Sequence, residues 1–295
     1  MQLKSILCPI DFSDFSVGAY RHALSIAEHY KATVVAQHVV ELWKYPFADY
    51  AAYEADYAKI SRALSEGGEV RLREFIQEHS HKGIRPELVV NLGNAADSIL
   101  SVAQARNVEL IVMGTHGRRG FDCLVLGSTT HRVMGRASCP VLVISGQPRE
   151  AGATVPEGRQ VHRLSRVLYR TDFSENSERA LDYAISATAE HDGDVTLLHV
   201  VEHLPRSAKA RELMATCSQR LDKLIPAETR KALKVWTVVK VGKPYEQIVQ
   251  QALTEQSDMI TMAARGADAL DRAVFGSTTY RVIQLGPCPV LAIHT

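Results

Sequence analysis

Two stretches of this sequence, ILCPIDFSDFSVGAYRHAL from Ile6 and VLYRTDFSENSERALDYAI from Val167, are copies of one segment. A second pair, GTHGRRGFDCLVLGSTTHRV from Gly114 and AARGADALDRAVFGSTTYRV from Ala263, lies ahead of a shared Cys-Pro-Val at Cys139 and Cys288. A chain that repeats itself in this way is constrained to fold as two similar units, each burying its own core, related by pseudo-symmetry. Every difference between the copies then shows what one unit kept and the other lost.

The 295 residues leave room for two units of ordinary size, and 46% hydrophobic residues suffice for two cores. The linker is placed at 147–163, aperiodic and carrying Gly, Pro, Ala, Glu and Arg, between domains at 1–146 and 164–295. With 34 basic and 33 acidic residues, no bulk charge favours nucleic acid or an anionic membrane. The apolar runs are strand-length, well short of the roughly 20 residues a spanning helix needs, so no membrane span is expected. No signal-like opening is read, and five cysteines without close spacing fit a reduced, cytoplasmic setting.

Periodicity places strands at 5–10, 32–39, 86–91, 109–113 and 141–144, and helices at 14–30, about 50–80, 95–105 and 128–136. Ser13 is the expected cap of the first helix. The second half repeats the order with strands at 165–170, 194–200, 233–241, 258–262 and 290–294 and helices at 177–191, 244–255 and 277–284. No element is assigned over 201–232. Strand–helix alternation calls for parallel sheets covered by helices on both faces, and continuously apolar strands such as LIVMG agree.

Register arithmetic locates the main difference. Asp11 to Asp172 and His38 to His199 are offset by 161, whereas Gly93 to Gly242, Gly127 to Gly276 and Cys139 to Cys288 are offset by 149. Twelve residues between His38 and Gly93 therefore have no counterpart in the second copy. That interval holds WKYPFADYAAYEADY, with six of the chain's 19 aromatics. It reads either as a longer crossover helix whose aromatics pack on the sheet or, because clustered aromatics are favoured at interfaces, as a lid or partner-docking surface at 43–57.

The chemistry lies in a loop that leaves a strand and enters a helix: Gly114-Thr-His-Gly117, nine residues, then Gly127-Ser128. Glycines let a ligand approach the backbone, and a helix N-terminus offers unpaired amides to an anion. Ser128, Thr129 and Thr130 add hydroxyls, and Arg118 and Arg119 add cations suited to phosphates. Asp11 also ends a strand, so both features are expected to face one crevice at the switch point of the sheet. A carboxylate there suits ribose hydroxyls or a metal that accompanies phosphate. No lysine sits in the loop as in a Walker motif, no nucleophile elbow is present and no metal-ligand spacing is found. His116 has acid–base capacity and Cys123 is the better redox candidate, although both also read as ordinary loop side chains.

These residues resemble the universal stress protein family, in tandem. The Gly-x2-Gly-x9-Gly-Ser pattern is met by Gly114, Gly117, Gly127 and Ser128, the opening Pro-x-Asp-Phe-Ser by Pro9 to Ser13, the His-Val by His38-Val39, and the closing Cys-Pro-Val by Cys139 to Val141. The resemblance spans nearly the whole chain. It implies an α/β fold of two Rossmann-like domains, each a five-stranded parallel sheet of order 3-2-1-4-5 with helices on both faces. In the branch that keeps the glycine loop, which the first domain resembles, it also implies ATP as the ligand, and Mg2+ or Mn2+ would accompany it to neutralise the phosphates near Asp11. Pro9, Ile10, Asp11 and Val39 would meet the adenosine. Met113, Gly114, Gly117, Arg118, Arg119, Gly127, Ser128 and Thr129 would line the phosphate side. No residue is assigned as catalytic or as a protein-held metal ligand, and ATP hydrolysis is expected to be slow at most.

The second copy departs from the pattern. Ala263 replaces the first glycine, and the nine-residue insert changes from RRGFDCLVL, net +1, to ADALDRAVF, net −1. The matching residues Thr171, Asp172, Val200, Met262, Gly266, Gly276, Ser277 and Thr278 are expected to form a weaker or empty site. The resemblance therefore implies a stress-response nucleotide sensor with one good site. The alternative is an interaction protein that works without nucleotide and keeps the loop for folding. Family members pair through the last strand, so the domains are expected to pair within the chain, two chains to associate further as a homodimer, and a protein partner to remain unnamed.

Overall fold

Buried apolar strands alternate with amphipathic helices through both halves of the chain. The protein is described here as a computed structural model over residues 3–41, 54–79, 83–115, 126–144, 164–206, 209–264 and 276–294. The first half runs β1 (Ser5–Pro9), α1 (Asp14–Tyr30), β2 (Thr33–Val40), α2 (Glu54–Glu78), β3 (Glu87–Leu92), α3 (Ala95–Ala105), β4 (Leu110–Gly114), α4 (Ser128–Arg136) and β5 (Val141–Ile144). The second runs β6 (Arg166–Thr171), α5 (Glu175–Ala189), β7 (Asp194–Val201), α6 (Lys209–Leu224), α7 (Ala227–Ala232), β8 (Lys234–Val241), α8 (Pro244–Glu255), β9 (Met259–Ala263), α9 (Ser277–Leu285) and β10 (Val290–Ile293).

Among the described residues, the ten strands form one sheet, in the order β3-β2-β1-β4-β5-β10-β9-β6-β7-β8. Each half is the expected parallel 3-2-1-4-5 arrangement, and the halves join where β5 meets β10 antiparallel. The register there is Val141↔Ala292, Leu142↔Leu291 and Val143↔Val290. Leu291 is the copy of Leu142, so each strand meets its own counterpart about that central pair. This is the geometry of an isologous dimer, internalised in one chain. It also pairs on each other the two last strands that separate domains would expose as edges.

Because the strands alternate their side chains across the sheet, two continuous cores result. One lies under α1, α2, α5 and α6 and includes Tyr20, Leu72, Leu142, Tyr169, Leu221 and Leu291. The other lies under α3, α4, α8 and α9 and includes Ile99, Met134, Ile111, Ile248, Ile260 and Ile283. Further equivalents meet over the junction: His29 Nε2 is 3.4 Å from Glu190 Oε2, and the His131 and Tyr280 rings are 6.0 Å apart.

The sequence reading needs correcting over 201–232, where it assigns nothing and the structure has α6 and α7. Only Cys217 and Leu221 of α6 are buried, so its apolar stripe is too thin to register as a period. The α5 start also moves back to Glu175, because Ser174 caps it by accepting from the Ser177 N–H. With α6 in place, Arg71 and Leu72 match Arg220 and Leu221, an offset of 149 that narrows the unmatched twelve residues to the interval between His38 and Arg71. Its Trp43–Asp49 stretch lies outside the described residues. Where α2 crosses the sheet, Gly68 permits the approach: a Cβ there would stand 3.1 Å from both Val40 and Val90.

The junction makes a stability prediction. Leu142→Ala and Leu291→Ala should each cost about 2–4 kcal/mol in urea unfolding. The double variant should differ from the sum by more than about 0.5 kcal/mol, because the two side chains are opposed on one face. Strict additivity would show that the two leucines do not share a contact.

Candidate functional site

A parallel sheet leaves a crevice at the carboxyl ends of its strands where the order turns back, here between β1 and β4. The turn after β1 is built with unusual care. Phe12 adopts φ 65°, a conformation that costs a residue with a Cβ on the order of 1–2 kcal/mol. Its ring is held on both sides: the His38 ring lies 4.4 Å away and the Arg71 guanidinium carbon 4.4 Å from the ring centroid. His38 is tied down in turn, with Nδ1 2.8 Å from the Ile10 carbonyl. Asp11 closes the turn by accepting at Oδ1 from the Ser13 N–H (3.1 Å) and hydroxyl (2.6 Å). Ser13 then caps α1 by accepting from the Ser16 N–H at 3.3 Å.

The second copy reproduces each device. Phe173 has φ 61°, His199 lies 4.3 Å from its ring and Arg220 4.0 Å above it. The Asp172 Oδ1 accepts from the Ser174 N–H (3.1 Å) and hydroxyl (2.6 Å). Burial holds His199 below the usual imidazole range against the hydrogen bond to the Thr171 carbonyl, and the charges of Arg170 and Arg220 lower it further.

The other wall is the loop stem. Thr115 N–H donates to the Ile144 carbonyl (3.1 Å) and Gly127 N–H to the Thr115 carbonyl (2.8 Å). The Ala264–Gly276 pair repeats this at 3.2 Å. The loop thereby leaves and re-enters the sheet at one point and delivers α4 at the crevice. Gly127 occupies the N-cap with no side-chain hydrogen bond, and the first turn of α4 holds no acidic residue. The same is true of Gly276 and α9. Uncapped amides with no competing carboxylate are the features an anion requires.

Pro9, Ile10, Asp11 and Val39 thus gather at the ends of β1 and β2, with Ile10 buried and Val39 half-buried. Met113 (buried) and Gly114 end β4, and Ser128 (exposed) and Thr129 open α4. Gly117, Arg118, Arg119, His116 and Cys123 lie outside the described residues, as does Gly266. The Thr130 hydroxyl, read from sequence as a ligand donor, is instead buried and donates to the Gly114 carbonyl at 2.9 Å. In the second copy Val200 and Met262 are buried, and Ser277 and Thr278 open α9. Thr171 is fully buried, its hydroxyl shared with Ser177 and the Phe173 N–H.

Two further residues decide the shape of these clefts. Gly114 is small for steric reasons: a Cβ would lie 2.8 Å from Phe15 Cβ. Ala263 is absent from the positive-φ residues, so the alanine there carries no left-handed backbone strain. Arg170, which the sequence reading passed over, stands where the first copy has Pro9. Its guanidinium Nη1 pairs with Asp172 Oδ2 at 3.3 Å, with side chains only 13% and 15% exposed. The signal was visible as Pro-Ile-Asp against Arg-Thr-Asp.

Among the described residues no His, Cys, Asp and Glu cluster could hold a metal ion. Cys8 and Cys139 are buried; burial pushes the Cys139 thiol up to about 11 and Cys8 higher still. Neither offers a reactive thiolate.

Comparison with known proteins agrees with this architecture. A universal stress protein of Methanocaldococcus jannaschii is 35% identical over 147 residues, covering 50% of this chain and 85% of that protein. A universal stress protein of Mycolicibacterium smegmatis is 23% identical over 299 residues, covering 98% and 96%. The crystal structure of a universal stress protein from Archaeoglobus fulgidus superposes with a TM-score of 0.71 at 22% identity, covering 99% of each chain, and shares the fold. The sequence profile described as the universal stress protein family matches residues 2–145 and again 164–294, so the chain belongs to that family, with two of its domains in tandem.

Proposed function

We propose that the first domain binds ATP, accompanied by Mg2+ or Mn2+, and that the protein acts in the stress response as a nucleotide sensor. The observation that carries this reading is the uncapped, acid-free N-terminus of α4 delivered by a closed loop stem to the crevice that also holds Asp11. In this reading the backbone at Ile10 and Val39 meets the adenine, with Pro9 beside it, and Asp11 faces the ribose. Met113 and Gly114 form the floor. Gly117, Gly127, Ser128 and the Thr129 amide hold the phosphates, and Arg118 and Arg119 neutralise them with the metal. The proposal assigns binding rather than turnover.

The second domain is proposed as the weaker relative. It keeps Asp172, Val200, Gly276, Ser277 and Thr278, but its insert is net −1 where the first is +1, which disfavours phosphate. A cytoplasmic setting is consistent with the described cysteines, which are buried. Among the described residues no helix is long and apolar enough to cross a membrane. Since β5 and β10 are spent on each other, a homodimer would use a different surface.

Mass spectrometry of the small molecules released on denaturing the purified protein should show an adenine nucleotide. Titrated to about 100 times its Kd, ATP with magnesium should stabilise the native state by about 2.7 kcal/mol and raise Tm accordingly. Gly127→Asp separates ligand binding from folding. A carboxylate at the N-cap should itself cap α4, leaving apo stability equal or a few tenths of a kcal/mol higher, while repelling phosphate and abolishing the ATP-dependent rise. An unchanged Tm with ATP in the wild-type chain would favour the nucleotide-independent reading.

A further inference from the structure

The two copies differ at the crevice in a way that neither loop glycines nor insert charge explains. Between β1 and β4 the ladder has two register pairs, Ile6↔Leu110 and Leu7↔Ile111. Between β6 and β9 it has four: the equivalents Val167↔Met259 and Leu168↔Ile260, then Tyr169↔Thr261 and Arg170↔Met262. The second crevice is thus laced two pairs further towards the carboxyl ends, where a ligand would enter.

The cause is one residue. Along a strand, successive backbone amides point to opposite neighbours. Ile10 N–H donates to the Gln37 carbonyl on β2, and Glu109 N–H donates to the Ser5 carbonyl, so the odd-numbered groups of β1, residue 9 included, face β4. Both missing pairs require an N–H from residue 9, and Pro9 has none. Arg170 supplies that amide in the second copy, and the ladder continues. Its side chain closes the same space a second time, because alternation turns Arg170 away from Val167 and Tyr169 and onto the face of Leu168, and there it pairs with Asp172. The Arg170 Nε is buried with no hydrogen-bond partner, so the guanidinium is held on Asp172 through Nη1.

We infer that the residue one before the crevice isoleucine or threonine, Pro9 in one copy and Arg170 in the other, is the specificity-determining residue that opens the first cleft to a nucleoside and closes the second. Proline leaves the strand ends unlaced beside Asp11. Arginine laces them and places a cation on Asp172, the carboxylate a ribose would need. This rests on the nucleotide reading above and deepens it: the second site is shut at its adenosine half, independently of how poorly its loop would hold phosphate.

The test uses the full chain and two probes, ATP with magnesium and adenosine, which has no phosphates, in calorimetric titrations. The wild type should bind one equivalent of each. Pro9→Arg should weaken adenosine and ATP at the first cleft by about tenfold or more. Arg170→Pro should add a second adenosine equivalent while adding little for ATP, since the acidic insert remains. Arg170→Leu, which keeps the ladder amide and is safer for folding, should add a weaker adenosine event than Arg170→Pro. Circular dichroism and thermal melts would verify that each variant is folded. Two equal adenosine sites in the wild type, or Pro9→Arg binding as tightly as wild type, would overturn the inference while leaving the nucleotide reading intact. A wild-type chain that binds neither probe would overturn the nucleotide reading and this inference with it.

Discussion

Everything else in the molecule depends on β5 and β10 pairing antiparallel about Leu142 and Leu291. Four-residue strands make few hydrogen bonds, yet this ladder merges two parallel sheets into one and runs both cores across the junction. It also sets where the crevices lie. Strands of the first half run opposite to those of the second, so the carboxyl ends of β1 and β4 and those of β6 and β9 lie at opposite edges of the ten-stranded sheet. Each crevice is bounded by its own half, and the junction between them is buried and apolar. One cleft can therefore change its chemistry without disturbing the other, provided the shared strands stay as they are.

Within each half a second constraint holds the crevice in shape. The turn that presents Asp11 or Asp172 requires a phenylalanine at positive φ, and an Arg–Phe–His stack keeps it there in both copies. The stack is made from α2 or α6, the turn and β2 or β7, so three elements converge on one dihedral. Backbone strain of this kind persists only where its surroundings over-determine it. The second copy has kept the whole apparatus while altering the residue beside it, which shows that the turn serves the fold as well as any ligand. The carboxylate likewise has a structural task, since its Oδ1 holds the serine that caps the following helix.

Much of this was legible in the sequence because period and punctuation agreed. The helices at Asp14–Tyr30, Ala95–Ala105, Ser128–Arg136 and Pro244–Glu255 have start signals in the sequence, Ser13 and Asn94 as caps, Gly127 ahead of Ser128 and Pro244 in the first turn, and the sequence bounds coincide with the structural ones. The α6–α7 pair was not legible, because a surface helix that buries two residues of sixteen carries almost no periodic signal. The glycine loop was found by spacing, but the reason for Gly114 was not. Its smallness answers Phe15 across the crevice, a contact between distant segments that no local pattern encodes. Thr130 was read as a ligand donor because hydroxyls cluster there, whereas the first turn of α4 directs that hydroxyl back to the strand.

The same distinction explains how the two copies diverged. Ala263 replaces the first glycine, yet it lies outside the positive-φ residues and ends β9 fully buried. The change of proline to arginine supplies a ladder amide, lengthens the β6–β9 register and places a guanidinium on Asp172. A switch-point crevice lies outside the carboxyl ends of its strands, and the two halves differ in how far the ladder reaches towards it. In the first half the ladder lacks the N–H that Pro9 cannot supply. On the inference drawn above, this one backbone position sets the nucleoside half of each cleft, while the strained turn and the serine cap after it are kept in both copies.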